Sequence, residues 1–299
     1  MTSSTIKFHS KQASKIDQDI ELETSSCPLC HRDEKTTIYR FSPFAVARCS
    51  FCDFYYLSPR LKERSALKLY SSSTYFEGAD RGYVSYSGQE KALRATFHRF
   101  LVQIRNLNLA RGDLLEIGCG YGYLLQEAKM FFKSCVGTEM SPQAASIARI
   151  FADHIYEGDV GKIPSSDKFD CIIAVNVIEH LYEPDVFLAT LCNHLRSEGK
   201  LILATPNISS LWRHILGRRW PSFKIPEHVL YFNSKSLSLV MNAAGLTNII
   251  SLPFLHAFPI SLIANKLKIR VPKVLQSLGG NYVWIPGTMI AVCGGIPDA

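Results

Sequence analysis

The chain lacks the early apolar run that opens a secretory leader. The apolar patch FLHAFPISLIA at residues 254–264 is too short to cross a bilayer and is interrupted by His256 and Pro259. These absences predict a soluble, cytoplasmic protein with no transmembrane segment. There is no long basic block either. Its 33 lysines and arginines are scattered among 26 acidic residues, for a net charge of +7. That excess permits an anionic partner but does not demand nucleic acid. No internal repeat is found. The nine cysteines are an odd number, which argues against a disulfide scaffold. With 47% hydrophobic residues over 299 positions, general disorder is excluded and a full core with accessories is affordable.

Residues 1–24 are polar and aperiodic and read as a flexible tail. A cysteine-rich module follows at 25–59. Residues 60–110 read as a mainly helical cap or linker, from the apolar spacing in ERSALKLY and EKALRATFHRFLVQIRNL. Between those helices, SSSTYFEGADRGYVSY reads as a loop or mobile lid near the site. From 111 to 299, apolar runs alternate with helical patterns of about a dozen residues. LLEIG, SCVGTEM, HIYEGDV, FDCIIAVNVIE and GKLILATPN read as successive strands. LTNIISL and TMIAVCG read as a later antiparallel pair at the edge. This alternation predicts an α/β fold, a mostly parallel sheet covered on both faces. Two insertions are expected, at about 208–232 and 254–277. The second reads as helical, with Lys266, Lys268, Arg270 and Lys273 on an amphipathic cover that packs on the cleft or a partner subunit in preference to a membrane.

The stretch LLEIGCGYGYLL brings Gly118, Gly120 and Gly122 directly after a strand. A phosphate-binding loop would end in Gly-Lys-Ser/Thr, which is absent. A dinucleotide site and an adenosyl-methionine site both remain, since either can use a glycine turn and a carboxylate at the end of the second strand, here Glu139, to receive ribose hydroxyls. The run Glu116-Ile117-Gly118-Cys119-Gly120-Tyr121-Gly122 resembles the first motif of class I S-adenosyl-L-methionine-dependent methyltransferases. Glu157-Gly158-Asp159-Val160, the Asn176-Val177-Ile178-Glu179-His180-Leu181 end of the fourth strand, Gly199-Lys200-Leu201 and Thr205-Pro206-Asn207 resemble later motifs of the same superfamily. The closest resemblance is to the ubiquinone-biosynthesis-like, type 11/12/23 small-molecule enzymes, over residues 110–250.

That resemblance implies a Rossmann-like, seven-stranded methyltransferase domain. It also implies a cofactor site of Glu116, Gly118, Cys119, Gly120, Gly122, Glu139, Met140, Asp159, Val160 and Asn176. Asp159 would receive the adenine amino group, although a plain turn residue is the alternative. Glu179, His180 and His228 are the candidate catalytic groups, with either histidine as base for an O- or N-acceptor. His228 lies in WRHILGRRWPSFKIPEHVLYF, an insert that covers the acceptor side in the enzymes resembled; a simple hydrogen-bonded anchor is the competing reading. Arg213, Arg218 and Arg219 offer contacts to an anionic substrate or a solvated face. Relatives with a Glu-x-x-Glu-His arrangement can hold a divalent cation. Here Asn176 replaces the first carboxylate, which weakens such a site.

CPLC at Cys27 and Cys30 and CSFC at Cys49 and Cys52 are two thiolate knuckles separated by 18 intervening residues. Four cysteines so spaced suit one structural zinc and predict a zinc-ribbon-like module. Its loops mix acids with bases, so nucleic acid is not the expected partner, and packing over the cleft or homodimerisation is favoured. The remaining cysteines read as small core residues. The expected activity is methyl transfer to a small molecule, in the class of sugar, cell-surface or secondary-metabolite intermediates. The rivals are an RNA or tRNA methyltransferase and a non-catalytic zinc-module interaction protein.

Overall fold

The computed structural model describes residues 21–70, 86–267 and 282–296. The first part of the expected tail, most of the expected lid, and the end of the second insertion lie outside them. The tail reading is corrected at its end. Strand β1 (Leu22–Glu23) pairs antiparallel with β5 (Arg60–Leu61), and Arg60 Nε donates to Glu23 Oε1 at 2.8 Å. Between them lie β2 (Lys35–Phe41), β3 (Phe44–Cys49) and β4 (Tyr55–Leu57), an antiparallel meander that carries the cysteines. Helices α1 (Glu63–Tyr70) and α2 (Glu90–Asn106) follow. On α2 the residues Leu93, Phe97, Phe100, Leu101 and Ile104 recur at helical spacing and are buried.

The main domain then alternates: β6 (Asp113–Ile117), α3 (Tyr123–Ala128), β7 (Ser134–Glu139), α4 (Pro142–Ala148), β8 (His154–Glu157), β9 (Phe169–Val175), α5 (Pro184–Asn193) and β10 (Leu195–Pro206). The helices are shorter than the dozen residues expected. Pro142 and Pro184 start α4 and α5, and Ser141 caps α4 by accepting from Ala144 N–H. After these come α6 (Leu211–Leu216), β11 (Leu230–Tyr231), α7 (Ser234–Ala243), β12 (Thr247–Pro259), α8 (Ile260–Leu267) and β13 (Tyr282–Gly295).

The seven-stranded sheet has the order β12-β13-β10-β9-β6-β7-β8. The strands β8, β7, β6, β9 and β10 are parallel to one another, and β13 runs antiparallel to both its neighbours. Order reverses between β6 and β9, so a crevice opens at their C-terminal ends. Alternation along the strands sends Leu115, Ile172 and Leu201 to one core and Leu114, Ile173 and Ile202 to another on the opposite face.

Two expectations change here. The second insertion does not begin at Phe254, because β12 continues to Pro259 and, past a register shift between Phe254 and His256, stays paired with β13, Phe258 opposite Val283. Thr96 Oγ1 of α2 accepts from Ala257 N–H at 2.9 Å, which holds this extension against the domain. The cysteine module, whose core looks separate in the sequence, shares one. Cys27, Cys49, Phe54, Tyr56 and Leu57 belong to the same apolar cluster as Leu115, Leu201 and Phe232. Strand β11, from the first insertion, joins the module's sheet by pairing with β4. Phe54 and Phe232 pack at a tilt, with centroids 5.1 Å apart.

Candidate functional site

The turn after β6 is held by the strand beside it. Cys119 N–H donates to Thr138 O at 2.9 Å, and Gly120 N–H donates to Glu139 Oε2 at 2.8 Å. Gly120 has φ +54°, and a Cβ there would lie 3.1 Å from Tyr86 Oη. Gly122, at φ +79°, forms the left-handed N-cap of α3. Tyr86 therefore lies over the turn. It stacks on Tyr123 (5.4 Å, 9° between planes) and meets Tyr121 edge-on. Tyr86 is the last residue of SSSTYFEGADRGYVSY, the stretch expected to lie near the site, and the rest of that stretch lies outside the described residues.

Glu116 and Glu139 are buried beneath this turn. Glu139 Oε1 accepts from Ser141 N–H at 2.8 Å. Among the described residues, Glu116 Oε2 has no hydrogen-bond partner. Burial and the neighbouring Glu139 charge push the Glu116 carboxyl well up, and burial also raises Glu139. Cys119 is buried, while Met140 is 53% exposed beyond the end of β7. Asp159 caps the turn Val160–Lys162, accepting from Gly161 N–H at 2.9 Å, so the turn-residue role is present in the structure. Asn176 directly follows β9 with φ +55° and donates its N–H to Ala204 O.

At the end of β9 the turn Ile178–His180 presents the second group. Glu179 is buried, and its Oε2 accepts from Thr205 Oγ1 at 2.9 Å. Burial pushes its pKa up to about 7. The insert folds back over this turn: Val229 N–H donates to Glu179 O, and Val229 O accepts from Leu57 N–H, each at 2.8 Å. His228 arrives beside His180, with ring centroids 4.7 Å apart and planes at 88°. His180 Nδ1 lies 3.1 Å from Glu227 O, which accepts its proton. Burial drives the His180 pKa down to about 3 and His228 well below its ordinary value, with the Lys224 cation adding to both and His180 adding to His228. Burial thus favours the neutral form of both imidazoles. Among the described residues, Glu179 Oε1 and His228 Nδ1 have no hydrogen-bond partner. One ligand atom from each of Glu179, His180 and His228 lies within 4.8 Å of the others. Such a trio can pass a proton or grip a single cation.

Lys224 and His256 were missed in the sequence. Burial, with Lys224 nearby, lowers the His256 pKa to about 4. Lys224 lies in the insert at 208–232 and His256 in the apolar patch at 254–264, but neither position is marked by a spacing that signals chemistry. Arg213, half-buried, donates its Nε to Ile208 O, while Arg218 stays exposed with its Nη2 donating to Arg40 O.

The four cysteine sulfurs also converge. The Sγ atoms of Cys27 and Cys52 are 3.5 Å apart, as are those of Cys30 and Cys49, and all four lie within 4.8 Å. Metal–sulfur bonds of about 2.3 Å in a tetrahedron require sulfurs roughly 3.8 Å apart. The two knuckles match. His31 and Asp53, each just after the second cysteine of a pair, adopt φ +60° and +63°, and their N–H groups donate to Cys27 O and Cys49 O. Burial alone would raise the Cys49 thiol, but backbone N–H groups of Cys52 and Phe51 and the sulfurs of Cys30 and Cys52 bring it down to about 7. Burial dominates at Cys52, pushing it up to about 11.

Comparison with known proteins gives a consistent set of matches. The family model Methyltransf_23, a methyltransferase domain, matches residues 87–251. A ubiquinone biosynthesis O-methyltransferase of Bradyrhizobium diazoefficiens is 27% identical over 44% of this chain and 51% of its own length. Nodulation protein S of Azorhizobium caulinodans is 30% identical over 36% of this chain and 56% of its own. The chain thus spans about half the length of these curated relatives. The crystal structure of magnesium protoporphyrin IX methyltransferase from Synechocystis PCC 6803, with bound S-adenosylhomocysteine, aligns with 79% of this chain and 100% of its own. Its TM-score is 0.53 at 13% identity, a likeness of fold.

Proposed function

The chain belongs to the methyltransferase-domain family matched over residues 87–251, and from that premise we propose that it transfers a methyl group from S-adenosyl-L-methionine to a small-molecule acceptor. The acceptor class is that of sugar, cell-surface or secondary-metabolite intermediates. One observation carries the cofactor. Two buried carboxyls, Glu116 with an unsatisfied oxygen and Glu139, lie beneath a glycine turn. Their burial is costly unless a ligand brings positive charge and donors. The bound cofactor brings a cationic sulfonium and ammonium and a ribose diol, and it supplies the electrophilic methyl. Glu139 holds the diol. The backbone at Gly118, Gly120 and Gly122 admits the methionine part next to Glu116. Met140 and Val160 would flank the adenine, and Asp159 would receive its amino group.

The acceptor's proton goes to the buried trio. His228 is the base, oriented by the insert, while Glu179, fixed by Thr205, and His180, fixed by Glu227 O, position it. We assign the trio to the proton and not to a cation, since Asn176 leaves it only one carboxylate. Relatives that are O-methyltransferases favour an oxygen acceptor. Residues 25–59 form a zinc module with one structural ion held by Cys27, Cys30, Cys49 and Cys52, and residues 208–232 form the cover of the acceptor side.

Calorimetry is expected to show S-adenosylhomocysteine binding with NAD far weaker; preference for NAD would defeat the assignment. Gly120→Leu should weaken cofactor binding at least roughly tenfold from left-handed strain alone, since φ is +54° and Tyr86 blocks the new side chain. Unchanged affinity in this variant would remove the turn from the cofactor site. Labelled S-adenosyl-L-methionine with metabolite extracts, followed by identification of the labelled product, names the acceptor. Labelling of RNA alone would overturn the small-molecule reading.

A further inference from the structure

Helix α6 is inverted relative to an ordinary surface helix. Leu211 and Ile215 are 70% and 66% exposed, Leu216 and Trp212 are 39% and 38% exposed, and no residue of the helix is buried. Four apolar residues in six would normally face a core. The helix is nonetheless anchored. Ser210 caps it by accepting from Arg213 N–H, and Trp212 Nε1 donates to Pro286 O of β13 at 2.9 Å. Along that strand Val283 and Trp284 are also exposed, and the Arg99 guanidinium lies 5.5 Å over the Trp284 ring. The flank is basic. Arg218 and Arg219 follow in the turn Gly217–Arg219, both exposed, and residues 200–226 contain no aspartate or glutamate.

We propose that this face, Leu211, Trp212, Ile215 and Leu216 with Trp284, docks in the interface of an anionic lipid bilayer, with Arg218 and Arg219 against the headgroups. Contiguous exposed apolar side chains on an anchored helix mark an interaction surface. Aliphatic and tryptophan side chains rimmed by arginine suit a headgroup–acyl boundary. A second copy of the same patch would set the arginines against one another with no acid in the segment to offset them. Nucleic acid would leave the leucine and isoleucine side chains without a partner. No helix among the described residues is long and apolar enough to cross a membrane, so this contact lies in the plane of the surface. It would bring the acceptor-side insert, which carries both α6 and His228, to the membrane.

Flotation of the full chain with phosphatidylcholine vesicles, with and without phosphatidylglycerol, tests this. The protein is expected to float only with the anionic vesicles and to be released by salt. Brominated lipid should quench the fluorescence of Trp212 and Trp284, whereas Trp220 is 3% exposed and spared. Leu211→Ser with Ile215→Ser should abolish flotation. Arg218→Ser with Arg219→Ser should weaken it roughly 30-fold, at about 1 kcal/mol per basic residue. Both variants should keep S-adenosylhomocysteine affinity, which reports that the fold is intact independently of any acceptor. No binding to anionic vesicles at low salt would overturn the proposal. So would unchanged flotation of the Leu211/Ile215 variant, or conversion of a dimer to a monomer by that variant without vesicle binding.

Discussion

His228→Ala is expected to lower turnover by roughly 10²–10⁴-fold, the usual contribution of a positioned general base, while S-adenosylhomocysteine affinity changes little. The ring is buried, kept neutral by its surroundings, and has an Nδ1 that no described residue satisfies. His180→Ala should cost less, since its Nδ1 is already spent on Glu227 O. The pH profile gives a sharper reading. An ordinary histidine base would show an acidic limb near about 6.5. Here burial holds His180 down at about 3 and His228 well below normal, so the limb near neutrality belongs to Glu179, raised to about 7. Glu179→Gln should remove that limb, and the wild-type limb should sit near 7. A limb near 6.5 that vanishes only in His228→Ala would show that the histidine titrates normally and is less buried than described. Near-normal turnover in both histidine variants would leave catalysis to proximity alone.

The same shifts have opposite signs for stability. The histidines bind protons more weakly when folded, so their contribution is present above about pH 6.5 and is lost as pH falls toward their folded values. Glu179 binds its proton more tightly when folded, so its contribution is present below its unfolded value and fades as pH rises through about 7.

Cys49→Ser is expected to reduce bound zinc from about one equivalent, by the four-ligand argument, to nearly none. Loss of a structural metal ranks among the largest single-site effects, more than about 4 kcal/mol, and should lower Tm by roughly 10 °C. From the sequence alone the damage would stay within the module. The shared core alters that expectation. Cys49 is fully buried in the cluster that includes Phe54, Phe232 and Leu201, and β4 reaches the Ile178–His180 turn through Leu57 and Val229. The variant should therefore lose near-UV signal and turnover together, and His228 should become accessible to modification. Wild-type protein that binds no zinc, or a variant with unchanged Tm and activity, would sink this account.

Sequence alone determined the local chemistry. The glycine turn, Glu116 before it, Glu139 at the end of β7 and the Glu179-His180 pair at the end of β9 are legible because each sits at a fixed offset from an apolar strand. Those strands must be parallel because helical segments separate them. The four cysteines are legible for the same reason, since a knuckle is set by local spacing. Contacts between distant segments were not legible. Nothing in the spacing of residues 208–232 says that Leu230–Tyr231 adds a strand to the cysteine sheet, that Val229 bridges Leu57 and Glu179, or that Tyr86 lies over Gly120. Nor does the apolar content of α6 reveal that its face is left outside, because hydrophobicity registers a demand for burial and not whether a partner meets it. The neutrality of the two histidines likewise depends on water excluded by the packed insert. Strand pairing, desolvation and exposure are properties of residues far apart in the chain, and only the tertiary structure decides them.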